Sequence, residues 1–239
     1  MRRSAERVGT RALVVRRVSV GDADLMVTFV TRERGTITAS AGSARRASSK
    51  LGALEPMHTL RVEIDLVVGR EVGRLREARI ETPRLALCES EERLHAASEL
   101  LRAARTVIPA LSPEPEAFDA IERGLDELAR VTSVGVALAR ALANVLEALG
   151  VGITLDGCVS CGTPCPPESA AFVDPARGGL VCQSCGGGPL LLKGGVRQRL
   201  AAALRGELDA VATEDEVTLL RIVRRAAEEH GVAGKRPLS

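Results

Sequence analysis

Between Met57 and Val68 the chain alternates with a period of two. His58, Leu60, Val62, Ile64, Leu66 and Val68 fall on one face, and Met57, Thr59, Arg61, Glu63 and Asp65 on the other. One apolar face at that period predicts a half-buried strand. Asp24–Thr31 repeats the pattern with Leu25, Val27 and Phe29. Gly21-Asp22, Glu33-Arg34-Gly35 and Gly69-Arg70 punctuate the runs as turns. Five strands are expected, near 12–20, 24–31, 36–42, 57–68 and 72–81. Five short antiparallel strands in so short a stretch suit a small barrel of OB type.

The period changes to that of a helix after residue 89. Leu94, Ala97, Leu101, Ala104 and Ile108 form one stripe, Phe118, Ile121, Leu125 and Leu128 a second, and Leu138, Leu142, Val145 and Leu149 a third. Prolines between Pro109 and Pro115 separate the first two helices, and Gly150 is placed to cap the third. Val131–Gly152 is the most apolar long stretch, but it contains Arg140, Asn144 and Glu147 and reads as a packed helix, not a membrane span. Residues 155–190 are rich in Cys, Gly and Pro, with little periodicity. Helices resume after Lys193, where Thr213 and Glu216 make a capping box ahead of Val217, Leu220, Val223 and Ala227. The expected fold is α+β: an OB-type five-stranded barrel over 1–84, a helical domain over 85–154 and 191–239, and a metal-organised insertion over 155–190.

Composition narrows the chemistry. Of 239 residues, 45% are hydrophobic and 27% charged, as in ordinary globular chains. There are three Phe and no Tyr or Trp, so the core must be aliphatic and base stacking must be scarce. Residues 1–88 hold 17 Lys/Arg against 10 Asp/Glu, a net of +7; residues 89–239 hold 16 against 21, a net of −5. The basic half suggests an anionic partner. The opening MRRSAERVGTRALVVRRV has no uninterrupted apolar core, so a secretory leader is not expected and the cytoplasm is. Thiols there stay reduced, and clustered cysteines then favour metal over disulfides.

Cys158-Val-Ser-Cys161 and Cys182-Gln-Ser-Cys185 are two CxxC pairs separated by about 20 residues, the spacing of a zinc site. Each two-residue gap lets a tight turn aim two sulfurs at one ion, and two such turns complete a tetrahedron. Four sulfurs leave no open position, so a single Zn2+ there is structural. Cys165 is an alternative to Cys161; the matched pairs favour Cys161. A redox CxxC fits the Gly/Pro-rich surroundings less well, and Cys88 reads as an ordinary thiol.

The basic half carries Arg11, Arg16 and Arg17 on or beside the first strand, Arg32 and Arg34 at a turn, and Arg45, Arg46 and Lys50 in the loop GSARRASSKLG. Cations on the strands and loops of a small barrel can line a groove that follows a phosphate backbone. An enzyme would need an open metal or paired acid and base groups. His58, His95 and His230 are scattered, and there is no HExxH, no Gly-rich phosphate loop and no nucleophile elbow. Neither catalysis nor a small-molecule substrate is expected. A sequence-reading zinc-ribbon regulator is the alternative; Gly194–Leu204, with Arg197, Gln198 and Arg199, is its candidate recognition helix.

The order of features, barrel, helices, four-cysteine insertion, helices, resembles the bacterial RecO family. GDADLMVTFVTRERGTITASAGSARR looks like that family's barrel signature, CVSCG…FVDPARGGLVCQSCG is similar to its zinc-binding version, and HGVAGKRPLS resembles its usual close. The resemblance implies a mediator of repair and recombination. It would bind single- and double-stranded DNA and anneal complementary strands. With RecR, it would help load RecA onto DNA coated by single-stranded-DNA-binding protein. By position, Arg45, Arg46 and Lys50 match the family's basic loop. Leu25 and Thr36 stand where basic residues are common in the family. Arg102, Arg105, Arg130 and Arg140 are candidates to receive the acidic tail of single-stranded-DNA-binding protein.

Overall fold

The computed structural model describes residues 5–44, 54–67, 72–166, 168–207 and 211–233. It divides into two compact units, 1–129 and 130–239.

The first unit opens with five strands: β1 (Ala5–Val20), β2 (Asp24–Thr31), β3 (Gly35–Ala41), β4 (Thr59–Val67) and β5 (Val72–Thr82). They close into a barrel in the order β1-β2-β3-β5-β4. The long β1 makes closure possible by serving two neighbours. Ala5–Leu13 pairs with β4 and Ala12–Val20 with β2, with an irregularity between Val14 and Arg16 where the strand changes partner. β3 meets β5 in parallel; the other pairs are antiparallel. The alternating pattern fixes the register, since a one-residue slip would turn every apolar side chain outward. Val27, Phe29, Leu60, Val62 and Ile64 are accordingly buried, together with Ala12, Ala39 and Ala41, whose small side chains suit a narrow interior. Each large side chain removed from water contributes on the order of 1.5–3 kcal/mol.

Two helices belong to the same unit. α1 (Glu91–Val107) starts at Ser90, whose hydroxyl accepts from the Arg93 N–H, with Glu91 and Glu92 in the first turn. Its buried stripe is Ala96, Ala97, Leu100, Leu101 and Ala104; Leu94, expected to join it, is exposed. α2 (Pro115–Leu128) begins with proline at its first turn and buries Phe118, Ile121, Leu125 and Leu128 fully. The connector between them is fastened to β3: Thr36 N–H donates to Pro109 and Leu111 N–H donates to Thr36. Gly35 is indispensable there. Its φ is +64°, and a Cβ would stand 2.1 Å from the Ser112 carbonyl oxygen.

The second unit contains α3 (Val134–Ala148), four short strands and two further helices. α3 ends in paired bonds, Val151 N–H to Leu146 and Gly150 N–H to Glu147, with Gly150 at φ +75°. This is the left-handed glycine cap that the sequence led one to expect. Residues 155–190, aperiodic in sequence, fold as β6 (Thr154–Cys158), β7 (Ala171–Asp174), β8 (Gly179–Leu180) and β9 (Leu190–Leu192), in the order β6-β8-β7-β9. Strands this short show no legible alternation. α4 (Gly194–Arg205) and α5 (Thr213–Ala233) complete the unit. On α5 the buried stripe is Leu219, Ile222, Val223, Ala226 and Ala227, while Val217 is 72% exposed. Among the described residues no helix is long and apolar enough to cross a membrane.

Candidate metal centre and charged barrel face

The strand β6 delivers Cys158 into the interior, and the chain turns at once. Gly162 N–H donates to the Cys158 carbonyl and Cys158 N–H to the Thr163 carbonyl, so Cys161 is swung back beside Cys158. The second pair is built by a like turn. Cys185 and Gly187 N–H groups both donate to the Cys182 carbonyl, and Gly186 adopts φ +99°. The sulfurs of Cys158, Cys161, Cys182 and Cys185 lie within 4.8 Å of one another. Cys161 and Cys182 sulfurs are 3.7 Å apart. A tetrahedron with metal–sulfur bonds of about 2.3 Å has edges of roughly 3.8 Å, so the group fits a four-coordinate ion. Cys165 lies outside it, its sulfur turned to the Pro166 carbonyl.

The thiols are unevenly disposed to ionise. N–H groups of Cys182, Ser160 and Cys161 converge on the Cys158 sulfur and lower its pKa to about 5. The Thr163 hydroxyl lowers that of Cys161. Crowding by the sulfurs of Cys182 and Cys161 pushes Cys185 up to about 12. Four thiolates at this separation repel, and a bound dication is the charge that lets them coexist. Arg177 ties the two turns together, donating to the Cys185 carbonyl and the Ser160 hydroxyl.

In the first unit, most of the arginines expected to face an anion are already engaged by carboxylates. Arg11 binds Glu122 at 2.9 Å and Glu81 at 3.3 Å, with its guanidinium 6.0 Å from the Phe118 ring centre. Arg17 binds Glu55 and the Leu54 carbonyl. Arg32 grips Asp119 with two bonds, and Arg34 meets Glu6. Arg16 is exposed and forms no ion pair with a described residue. Arg45, Arg46 and Lys50 lie outside the described residues.

Beneath Arg11 lies a buried polar hub. The Arg84 side chain, 3% exposed, bonds Asp126 at 2.6 Å, the Met57 carbonyl and Thr59 Oγ1 at 3.0 Å, and approaches Glu122 at 3.8 Å. Thr59 also donates to Glu122. Met57 holds φ +77°, a conformation that costs on the order of 1–3 kcal/mol in a residue with a side chain. The Arg84 bond to its carbonyl helps hold it there. The Arg84 N–H donates to His58 Nδ1. Burial and the Arg84 charge keep the His58 pKa below its usual value. Thus His58, which alternation placed on the barrel's apolar face, is an acceptor in this hub.

Comparison with known proteins agrees in both units. Residues 4–84 match the family described as Recombination protein O N terminal, and residues 89–237 match Recombination protein O C terminal. The chain belongs to the RecO family. Relatives include the DNA repair protein RecO of Cutibacterium acnes, 33% identical over 73% of this chain and 72% of that one. The RecO of Myxococcus xanthus is 34% identical over 76% and 73%, and that of Anaeromyxobacter dehalogenans 30% identical over 87% and 84%. DNA repair and recombination are the business of this family, and the barrel, helices and cysteine cluster fit its architecture.

The helix Gly194–Arg205 does not favour a base-reading role. Arg197, taken from sequence as a possible reader, is 2% exposed and bonds the carbonyls of Leu155, Cys165 and Pro166. Gln198 and Arg205 are exposed on it, but Arg199 is paired with Asp215. Sequence reading passed over Arg84, Arg177 and Arg197 as structural residues. Arg84 and Arg197 act on carbonyls or carboxylates remote in the chain, and Arg177 on the Cys185 carbonyl and the Ser160 hydroxyl; no local spacing marks such partners.

Proposed function

We propose that this protein is a non-enzymatic cytoplasmic mediator of DNA repair and homologous recombination. It binds single- and double-stranded DNA through its barrel, anneals complementary strands, and with RecR helps load RecA onto DNA coated by single-stranded-DNA-binding protein. The observation that carries this reading is the family match over both units, joined to a barrel-bearing segment with a net charge of +7. DNA contact belongs to Arg16 and to the cations Arg45, Arg46 and Lys50. Arg11, Arg17, Arg32 and Arg34 contribute field more than contact, since carboxylates already occupy their donors. With few aromatic rings, affinity is electrostatic, and it falls with salt in the same way for every sequence.

The metal is one Zn2+ held by Cys158, Cys161, Cys182 and Cys185. The donor set is all sulfur, the edge length suits bonds of about 2.3 Å, and among the described residues the metal-ligating group consists of these four cysteines. When bound, the ion supplies structural cross-linking and no reactive water. The chain's own N–H groups and the Thr163 hydroxyl hold the thiolates ready for it.

The test is strand annealing on DNA precoated with single-stranded-DNA-binding protein, with and without RecR, followed by RecA filament formation. Binding that discriminates one duplex sequence from random duplex by more than about tenfold would instead favour a sequence-reading regulator.

A further inference from the structure

The side chain of Arg197 is a buried cation with no ion pair to any described residue. Its Nη1 donates to the Leu155 carbonyl at 2.7 Å, Nη1 and Nη2 both reach the Cys165 carbonyl at 3.3 Å, and Nη2 also meets the Pro166 carbonyl. Its Nε has no acceptor. Desolvating a guanidinium for neutral carbonyls alone is unfavourable unless an opposing charge lies close by.

The three carbonyls occupy particular places. Leu155 is on β6, three residues before Cys158; Cys165 and Pro166 follow Cys161 after Gly162, Thr163 and Pro164. The chain between them is the first cysteine turn. Its own cross-links, Cys165 N–H to the Asp156 carbonyl and the bridge between Gly157 and Pro164, close the same loop at its neck. Arg197 therefore grasps the entry and exit of the turn that presents Cys158 and Cys161, from a helix more than 30 residues further along.

We propose that Arg197 is a positioning residue for the metal centre: its guanidinium locks the neck of the Cys158–Cys161 turn. It touches no metal. It fixes where two of the four sulfurs stand before the ion arrives, as outer groups do when they orient ligands. This rests on the cluster being a metal site.

The test measures metal affinity of the full chain by competition with a chromophoric chelator, for Zn2+ and for Co2+, whose thiolate charge-transfer and d–d bands report a tetrahedral sulfur shell. Arg197→Met keeps most of the apolar stem and removes every donor. It should weaken affinity by about 10–100-fold, the usual effect of losing an outer-shell partner, while the Co2+ bands at saturation keep their shape. Arg197→Lys, with a point charge and three donors, should fall between it and the wild type. Leu200→Ala is the control: it truncates a fully buried side chain of α4 without touching the three carbonyls, and should lower the unfolding temperature with little change in affinity. Arg197→Met affinity within about twofold of the wild type, or an equal loss in Leu200→Ala, overturns the role for Arg197. Failure of the wild type to bind either metal overturns the metal reading itself.

Discussion

Arg32 and Asp119 stand 87 residues apart in sequence and share two parallel bonds, Nε to Oδ1 at 2.9 Å and Nη2 to Oδ2 at 3.0 Å. The pair fastens the β2–β3 turn to α2, and it commits a cation that would otherwise be offered to DNA. The Arg32 fork holds the Asp119 carboxyl below its ordinary pKa. Arg32→Ala should therefore lower the unfolding temperature while altering the slope of log affinity against log salt by less than about 0.3, since a direct phosphate contact contributes about 0.7 to 0.9. A full unit of lost slope would make Arg32 a DNA contact after all.

The hub around Arg84 should be the costliest polar feature to break. Removing one partner of a buried ionic group leaves the other desolvated and unpaired, at about 3–5 kcal/mol. Arg84→Ala takes the 2.6 Å partner from Asp126 and frees Met57 from the bond on its carbonyl, while Glu122 keeps Arg11 and Thr59. Urea unfolding followed in the isolated barrel unit or the full chain should show a loss in that range. A loss under about 1 kcal/mol would mean that water replaces the guanidinium at little cost.

His58 gives the hub a pH dependence. Its folded pKa lies below the reference 6.5, chiefly through burial and then through the Arg84 charge. Above pH 6.5 the residue is neutral both folded and unfolded, and stability is intact. As pH falls below 6.5 the unfolded chain takes up the proton first, so stability declines until the folded pKa is reached and is flat thereafter. His58→Gln, whose amide oxygen can still accept from the Arg84 N–H, should remove this component. If the variant and wild type show the same midpoints in urea from pH 7.5 to 5, His58 is not responsible.

How much of this was legible in sequence depended on whether a partner was local. Alternation at Leu60, Val62 and Ile64 fixed β4 because both period and face are local properties. The CxxC pairs were legible for the same reason, two residues being the reach of one turn. Helical stripes were located, but not always in phase: Leu94 and Val217 are exposed, while Leu100 and Leu219 are buried. A helix end carries apolar residues that its neighbours do not reach, and periodicity alone cannot say where contact stops. Nor does a stripe name what it packs against, so nothing local showed α1 and α2 grouping with the barrel. Arg32 read as a free cation for a related reason, its carboxylate being supplied by a helix far along the chain.

The cysteine assignment separates cleanly by substitution. Cys161→Ser removes a sulfur from the cluster, whereas Cys165→Ser alters one that lies outside the cluster and is turned to the Pro166 carbonyl. Purified Cys165→Ser should hold one zinc per chain by elemental analysis, and Cys161→Ser should hold well under one. Stripping the metal from wild type with a strong chelator should raise amide exchange across 155–190, because binding there is coupled to local folding. The barrel, with a separate core, should keep its exchange protection. Full zinc in Cys161→Ser would reassign the fourth ligand to Cys165.

The described barrel leaves Arg16 without a carboxylate partner, and the segment GSARRASSKLG adds Arg45, Arg46 and Lys50 among small residues. Each phosphate contact adds about 0.9 to the salt slope on duplex and about 0.7 on single strands. Changing Arg45, Arg46 and Lys50 together to Ala should flatten the slope by roughly two to three units, and Arg16→Ala by about one. The loss should be equal for every sequence, since phosphate contacts position the protein without reading bases. Unfolding temperatures should stay close to wild type for Arg16→Ala, in contrast to Arg32→Ala. A triple variant with the wild-type slope would leave Arg16 and the β1 face as the contact surface. If Arg16→Ala also kept the wild-type slope, DNA binding would have to be moved off the barrel.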